Sequence, residues 1–246
     1  IGDDVDPTDI DAVAAAHPAI GHTIHRSVLE SALAQLGTAG FARAYGNRRT
    51  LSRETLIPVH IIDAVTTTRD MPAGPVAIGA AVAIDRSHTA ISVAGMLPDG
   101  TPMAELICHR PGTSWAAAEL DRLARAERAP IVLDVRGPSS SLADELTLGC
   151  VNIDSATLSD YGAACGQLWD RMHTDPPSVL LREHPALTAA MAGAAWRHVG
   201  DTRVWGRRTA TPVAALESAT LALWGLHHRP APPTVPLIFT GSEGTQ

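Results

Sequence analysis

Two apolar runs in this chain end on aspartate. Residues 76–84 are uninterrupted apolar and small residues and stop at Asp85; residues 131–133 are Ile-Val-Leu and stop at Asp134. Each run is too short for a helix and bounded by Gly or Pro, so each reads as a strand buried on both faces. Between them, residues 88–96 alternate, with Thr89, Ile91 and Val93 against Ala90, Ser92 and Ala94, the period of a half-buried strand. Pro98-Asp99-Gly100 is a turn, because Pro presets φ and Gly admits φ > 0. Residues 103–108 form a third strand, completing an antiparallel meander. A helical pattern follows, capped at Ser114, with Trp115, Leu120, Leu123 and Ala124 on its apolar side and Glu119, Arg122 and Arg125 outside. Such a crossover returns the chain parallel to an earlier strand and brings both aspartate-ended strands to one sheet edge. Two unpaired carboxylates at a buried strand end are costly unless a cation neutralises them. The pattern therefore predicts a divalent-metal site at Asp85 and Asp134.

The flanking pattern is mostly helical. Residues 12–36 carry a stripe of Val28, Leu29, Leu33 and Leu36, broken earlier by Pro18 and Gly21 and ended by Gly37 as a C-cap. Residues 56–65 read as a short strand, and Met71-Pro72-Ala73-Gly74-Pro75 as a boundary. Three parts follow: an upstream helical segment (1–75), an α/β domain (76–230) and a flexible tail (231–246). Within the domain, Ser141 with Asp144 resembles a capping box, and residues 150–153 are a strand. Ser159 caps a helix striped by Tyr161, Ala164, Leu168, Trp169 and Met172, and Pro185 opens another. Residues 200–208 are a loop or hairpin. Thr211-Pro212 starts the last helix, with Val213, Leu216, Thr220, Leu223 and Trp224 on its stripe. Glu217 falls within that stripe; on spacing alone it reads as an edge residue whose carboxylate reaches water. Trp169 and Trp224 read as core. The order of elements predicts an α/β fold with a ribonuclease H-like mixed sheet: a three-strand antiparallel meander plus parallel strands, flanked by helices.

Composition narrows the chemistry. Of 246 residues, all 19 basic ones are Arg, which excludes a P-loop and Schiff-base lysine chemistry. The net charge of -7 advertises no global nucleic-acid field but leaves room for a local basic groove. Cys108, Cys150 and Cys165 form no CxxC pair and read as reduced thiols in a cytosolic setting. No apolar run is long enough to span a bilayer. The chain begins at Ile1, as a fragment or processed piece is expected to. Arg86, Arg136, Arg207 and Arg208 flank the expected site and can hold phosphates. His184 precedes a helix, where capping competes with a place near the metal, and His227-His228 suits the C-terminal dipole of the last helix.

Specific residues then resemble a family. Ala83-Ile84-Asp85-Arg86-Ser87 with residues 90–95 is similar to the first hairpin of the nuclease domain of tailed-phage terminase large subunits, in particular those of actinobacterial phages. His109-Arg110-Pro111-Gly112-Thr113-Ser114-Trp115, Val132-Leu133-Asp134 with Gly137-Pro138, Tyr161 to Gly166, Pro185 to Ala194, Val199-Gly200-Asp201 with Trp205 and Arg207-Arg208, and residues 219–225 follow in the family's order. Residues 14–21 and 41–47 look like the segment joining that family's ATPase to its nuclease. The resemblance implies cleavage of concatemeric double-stranded DNA during packaging, using two Mg²⁺ or Mn²⁺ ions. Asp85 and Asp134 match the first two family acids. The third has no direct match, since Pro212 and Gly206 stand where acids are expected; Glu217 and Asp201 are the substitutes. A small terminase subunit and a portal protein are the implied partners, and the host cytoplasm the implied place. Two other readings remain open: a degenerate nuclease fold serving as a docking module, and an actin-like phosphotransferase, for which Arg86-Ser87-His88 lacks the Gly-rich phosphate turn.

Overall fold

The computed structural model describes residues 5–6, 8–21, 23–46, 55–149, 151, 153–209 and 211–228. Cys150 and the expected tail at 231–246 lie outside them. The chain divides into two units, Ile1–Thr55 and Leu56–Gln246. The boundary expected at 71–75 falls inside the second unit.

The first unit holds α1 (Ile10–Ala16) and α2 (Arg26–Ala44) around Val13, Leu29, Ala32 and Phe41. Asp9 caps α1 by accepting from the amides of Asp11 and Ala12. Gly37 was expected to end the second helix. It adopts φ 64°, ψ 175° and kinks the chain, which then resumes helix to Ala44.

The second unit opens with α3 (Val59–Val65) and β1 (Thr66–Thr67), where a strand over 56–65 was expected. Pro58 at the N-cap and the i, i+3 spacing of buried Ile62 and Val65 favour the helical turn. Then come β2 (Ala77–Val82), β3 (His88–Met96), β4 (Pro102–Pro111), α4 (Ala116–Glu127), β5 (Ile131–Asp134), α5 (Ser140–Leu148) and β6 (Ile153–Ala156). After these follow α6 (Leu158–Met172), β7 (Leu180–Arg182), α7 (Pro185–Ala192), β8 (Trp196–Val199), β9 (Thr202–Trp205) and α8 (Ala214–His228).

Seven strands form one sheet in the order β1-β7-β4-β3-β2-β5-β6. The meander β2-β3-β4 is antiparallel, while β5 and β6 extend it parallel to β2 and β7 and β1 extend it parallel to β4. This is the ribonuclease H-like mixed sheet that the element order predicts. Ile78, Ala80 and Val82 of β2 face one core with α4 and α5; Ala81 and Ala83 face the other with α6, α7 and α8.

Helix α8 lies unusually close to the sheet. A Cβ on Gly79 of β2 would collide with the backbone of Ser218 and Ala222, and one on Gly225 would meet the Val132 side chain at 2.5 Å. The helix answers with Ala215, Ser218, Ala219 and Ala222, all buried. Ser92 and Ser218 share a 2.7 Å hydroxyl contact across the same interface. Because the helix is buried nearly all round, Glu217 has no water-facing edge: it is 1% exposed. The edge-residue reading fails for that reason.

Several predicted caps shift. Helix α4 begins at Ala116 without a side-chain cap, and Thr157 with Asp160, not Ser159, forms a capping box on α6. The box expected from Ser141 and Asp144 is absent. Ser139 at the N-cap of α5 accepts from Val82 N (3.1 Å), and Ser141 from Arg86. Strand β6 lies three residues later than expected, and α8 starts after Pro212. Trp169 and Trp224 flank the core; the fully buried tryptophan is Trp205.

Candidate active site

The site forms where β2 and β5 end. Asp134 is the last residue of β5 and is 7% exposed. Its Oδ1 accepts from the Arg136 amide at 3.1 Å. Strand β2 stops at Val82, and residues 83–86 turn tightly, with Arg86 N bonded to Ala83 O (2.8 Å). Asp85 sits in that turn, exposed, where an unbroken strand to Ile84 was expected. Its Oδ1 accepts from Ser87 N at 3.0 Å. The Ser87 hydrogen bonds hold this carboxyl below its ordinary pKa, so it stays ionised.

The third acid is Glu217, in the first turn of α8. Burial pushes its carboxyl above its ordinary pKa, and Asp134 adds to this, while Arg207 and the Tyr161 hydroxyl pull it back. Glu217 Oε1 accepts from Tyr161 OH and from Arg207 Nε, both at 2.7 Å. Arg207 Nη2 donates to Asp134 Oδ2 at 2.6 Å. One guanidinium therefore bridges two carboxylates 83 positions apart in the sequence, and its Cζ lies 5.5 Å from the centre of the Tyr161 ring. Burial opposes its charge, but Glu217, Tyr161 and the hydrogen bonds to both acids outweigh that and hold its pKa above the ordinary arginine value. Burial likewise keeps the Tyr161 hydroxyl protonated as a donor and pushes Cys165 up to about 12.

Two features deliver Arg207. The hairpin β8-β9 closes at its open end through Gly206 N to Ala195 O (2.7 Å), and Trp205 Nε1 donates to Thr220 Oγ1 of α8 (2.9 Å). Arg207 follows two residues later. Gly137 supplies the room: a Cβ there would stand 2.5 Å from Arg207 Nη1 and 2.8 Å from Asp134 Oδ2.

Two cavities open here. One of about 110 Å³ is lined by Asp85, Arg207, Glu217 and residues of the flanking loops. A larger one of about 670 Å³ is lined by Arg136, Arg197, Arg207, Arg208 and Trp196, among others. Arg136 and Arg208 thus sit on a basic groove beside the carboxylates. Arg86, at φ 59°, is braced on Ser141 Oγ (3.0 Å) and Thr113 Oγ1 (3.2 Å). Arg207, read from sequence as a DNA contact, is instead bound to two acids with its side chain 11% exposed. Asp201 occupies the exposed turn of the hairpin, at the end away from Arg207, and lines neither cavity. His184 caps α7 through Nδ1 accepting from Ala186 N (3.1 Å).

The donor chemistry suits a hard divalent cation: Asp85 and Glu217 line one cavity, and Asp134 is paired with the Arg207 that borders it. The arrangement does not, because Arg207 holds two of the three. Among the described residues no three His, Cys, Asp or Glu side chains come together as a metal-ligand set. The sequence carries no signal for the bridge or for Tyr161, whose stripe position reads as core, although Arg207 is among the arginines expected to flank the site.

No family model matches the sequence, and no curated protein matches it. Among solved structures the chain is similar to the HK97 bacteriophage large terminase, with a TM-score of 0.53 at 14% identity over 91% of this chain and 55% of that one. It is also similar to a mutant nuclease domain of the large terminase subunit gp2 of bacterial virus Sf6, determined with manganese and β-thujaplicinol (TM-score 0.50, 12% identity, 72% of this chain and 100% of that one). The protein has a ribonuclease H-like fold. More narrowly, that fold is the one found in the nuclease domains of phage large terminases. The chain spans about half the length of the HK97 protein.

Proposed function

We propose that this chain is the nuclease domain of a phage packaging terminase, a divalent-metal-dependent endonuclease that cuts concatemeric double-stranded DNA. The observation that carries the reading is the joining of Asp134, at the end of β5, and Glu217 of α8 by the buried Arg207 guanidinium, with Asp85, just past the end of the parallel neighbour β2, on the same cavity as Arg207 and Glu217. That is the residue chemistry a phosphodiesterase of this fold requires. Mg²⁺ or Mn²⁺, as two ions, is the expected cofactor, and the three acids are the groups that would take it once Arg207 withdraws. The basic groove with Arg136 and Arg208 supports backbone contacts, which carry little sequence preference. A small terminase subunit and a portal are the expected partners, at the assembly site in the host cytoplasm. Incubation of the purified chain with supercoiled plasmid and Mn²⁺ tests the reading: nicked and linear DNA are expected, and none with Asp85→Asn. Intact plasmid at every Mn²⁺ concentration contradicts it.

One observation favours a second reading. The Asp134–Arg207–Glu217 bridge neutralises the acids without a metal, as in a silent nuclease fold that serves only to dock a packaging partner. A docking module binds its partner equally well in EDTA and leaves DNA intact.

A further inference from the structure

A nuclease centre and a buried ion pair make opposite demands on the same two carboxylates. Asp134 Oδ2 and Glu217 Oε1 each spend a short hydrogen bond on Arg207. The guanidinium is not a surface side chain that drifted inward: Gly137 leaves the volume it fills, the Tyr161 ring lies beneath it, and Trp205 anchors the strand that delivers it. Among the described residues the other acid on its 110 Å³ cavity is Asp85, which has no arginine ion pair and accepts instead from Ser87 N. On the other side, Arg207 also borders the 670 Å³ groove with Arg136 and Arg208, so its side chain has a volume to enter without unfolding the domain.

We propose that Arg207 is a resident cation of the carboxylate centre that competes with the divalent ion: metal-free, it bridges Asp134 and Glu217; metal-loaded, it has moved into the adjoining groove, where its charge faces a phosphate backbone. This deepens the nuclease reading and rests on it for the identity of the ion. The exchange follows from charge. Two carboxylates close together in a poorly solvated pocket need a neutralising partner at all times. A monovalent guanidinium held in place by the chain serves until a divalent ion of higher charge arrives. The device keeps the centre intact and idle until a divalent ion arrives.

The test is a DNA-free metal titration of the whole chain. Isothermal titration with Mn²⁺ compares the parent with Arg207→Gln and Arg207→Lys. The glutamine variant is expected to bind Mn²⁺ at least about ten-fold more tightly than the parent, and the lysine variant, which retains a cation, to stay close to the parent. Melting should agree, with Mn²⁺ raising the melting temperature of Arg207→Gln more than that of the parent. Equal or weaker binding by Arg207→Gln, or no binding by it at all, overturns the proposal. A second readout needs no folded variant. The Arg207 Nε–H resonance of the parent, protected by Glu217, is expected to lose that protection as diamagnetic Mg²⁺ is added; if it is unmoved at saturating Mg²⁺, the proposal is wrong. Since no DNA is present, failure here leaves the cleavage reading to the plasmid assay, and failure there leaves this one standing on the titration.

Discussion

Arg207 Nη2 lies 2.6 Å from Asp134 Oδ2, closing a bridge between residues 73 positions apart. Its other arm reaches Glu217. Removing one partner of a buried pair leaves charge uncompensated and typically costs about 3–5 kcal/mol. Arg207→Gln should therefore lower stability by about that much in the absence of metal. Urea unfolding in EDTA, near neutral pH, measures it.

The Tyr161 hydroxyl donates to Glu217 at 2.7 Å in a fully buried setting. Tyr161→Phe keeps the ring beneath Arg207 and deletes only that donor. A loss of about 1–3 kcal/mol is expected, the cost of taking a partner away from a buried polar group. Chemical denaturation of the two proteins side by side checks it.

Gly137→Ala inserts a methyl against Arg207 Nη1 and Asp134 Oδ2. Overpacking of this kind costs about 1–3 kcal/mol, and here it also pushes the bridge apart. The variant should melt lower than the parent in EDTA and recover part of the loss in Mn²⁺. A crystal structure with Arg207 still on both acids would contradict this account of Gly137.

Glu217 gives the stability a pH dependence of definite sign. Burial raises its folded-state pKa above the unfolded value, so between the two values the native state holds a proton that the unfolded chain has released. The contribution is fully present below the ordinary carboxylate range and is lost as pH rises through the shifted pKa. Stability should fall over that interval in the parent and fall less in Glu217→Gln, as read from melting temperatures across a pH series.

The two aspartates and the sheet were legible because they announce themselves locally. A buried strand must be apolar, so the first charged residue after it marks its end, and Asp134 closes β5 where the pattern says it should. Asp85 was displaced by a turn that residues 83–86 make despite their apolar start. Glu217 was ambiguous because helix periodicity assumes a wet side. Gly79 and Gly225 bring α8 so near the sheet that this helix has almost none, a relation between residues more than a hundred positions apart. The burial of Arg207 was illegible for a similar reason: an arginine after a hairpin looks solvated until the glycine that houses it is known.

The most direct measurement is the anomalous signal of Mn²⁺ soaked into crystals of this chain. The account predicts a peak within coordination distance of Asp85 and Asp134, with the Arg207 guanidinium withdrawn from Glu217. A structure at saturating Mn²⁺ with no peak there, and Arg207 still joined to both acids, would contradict it.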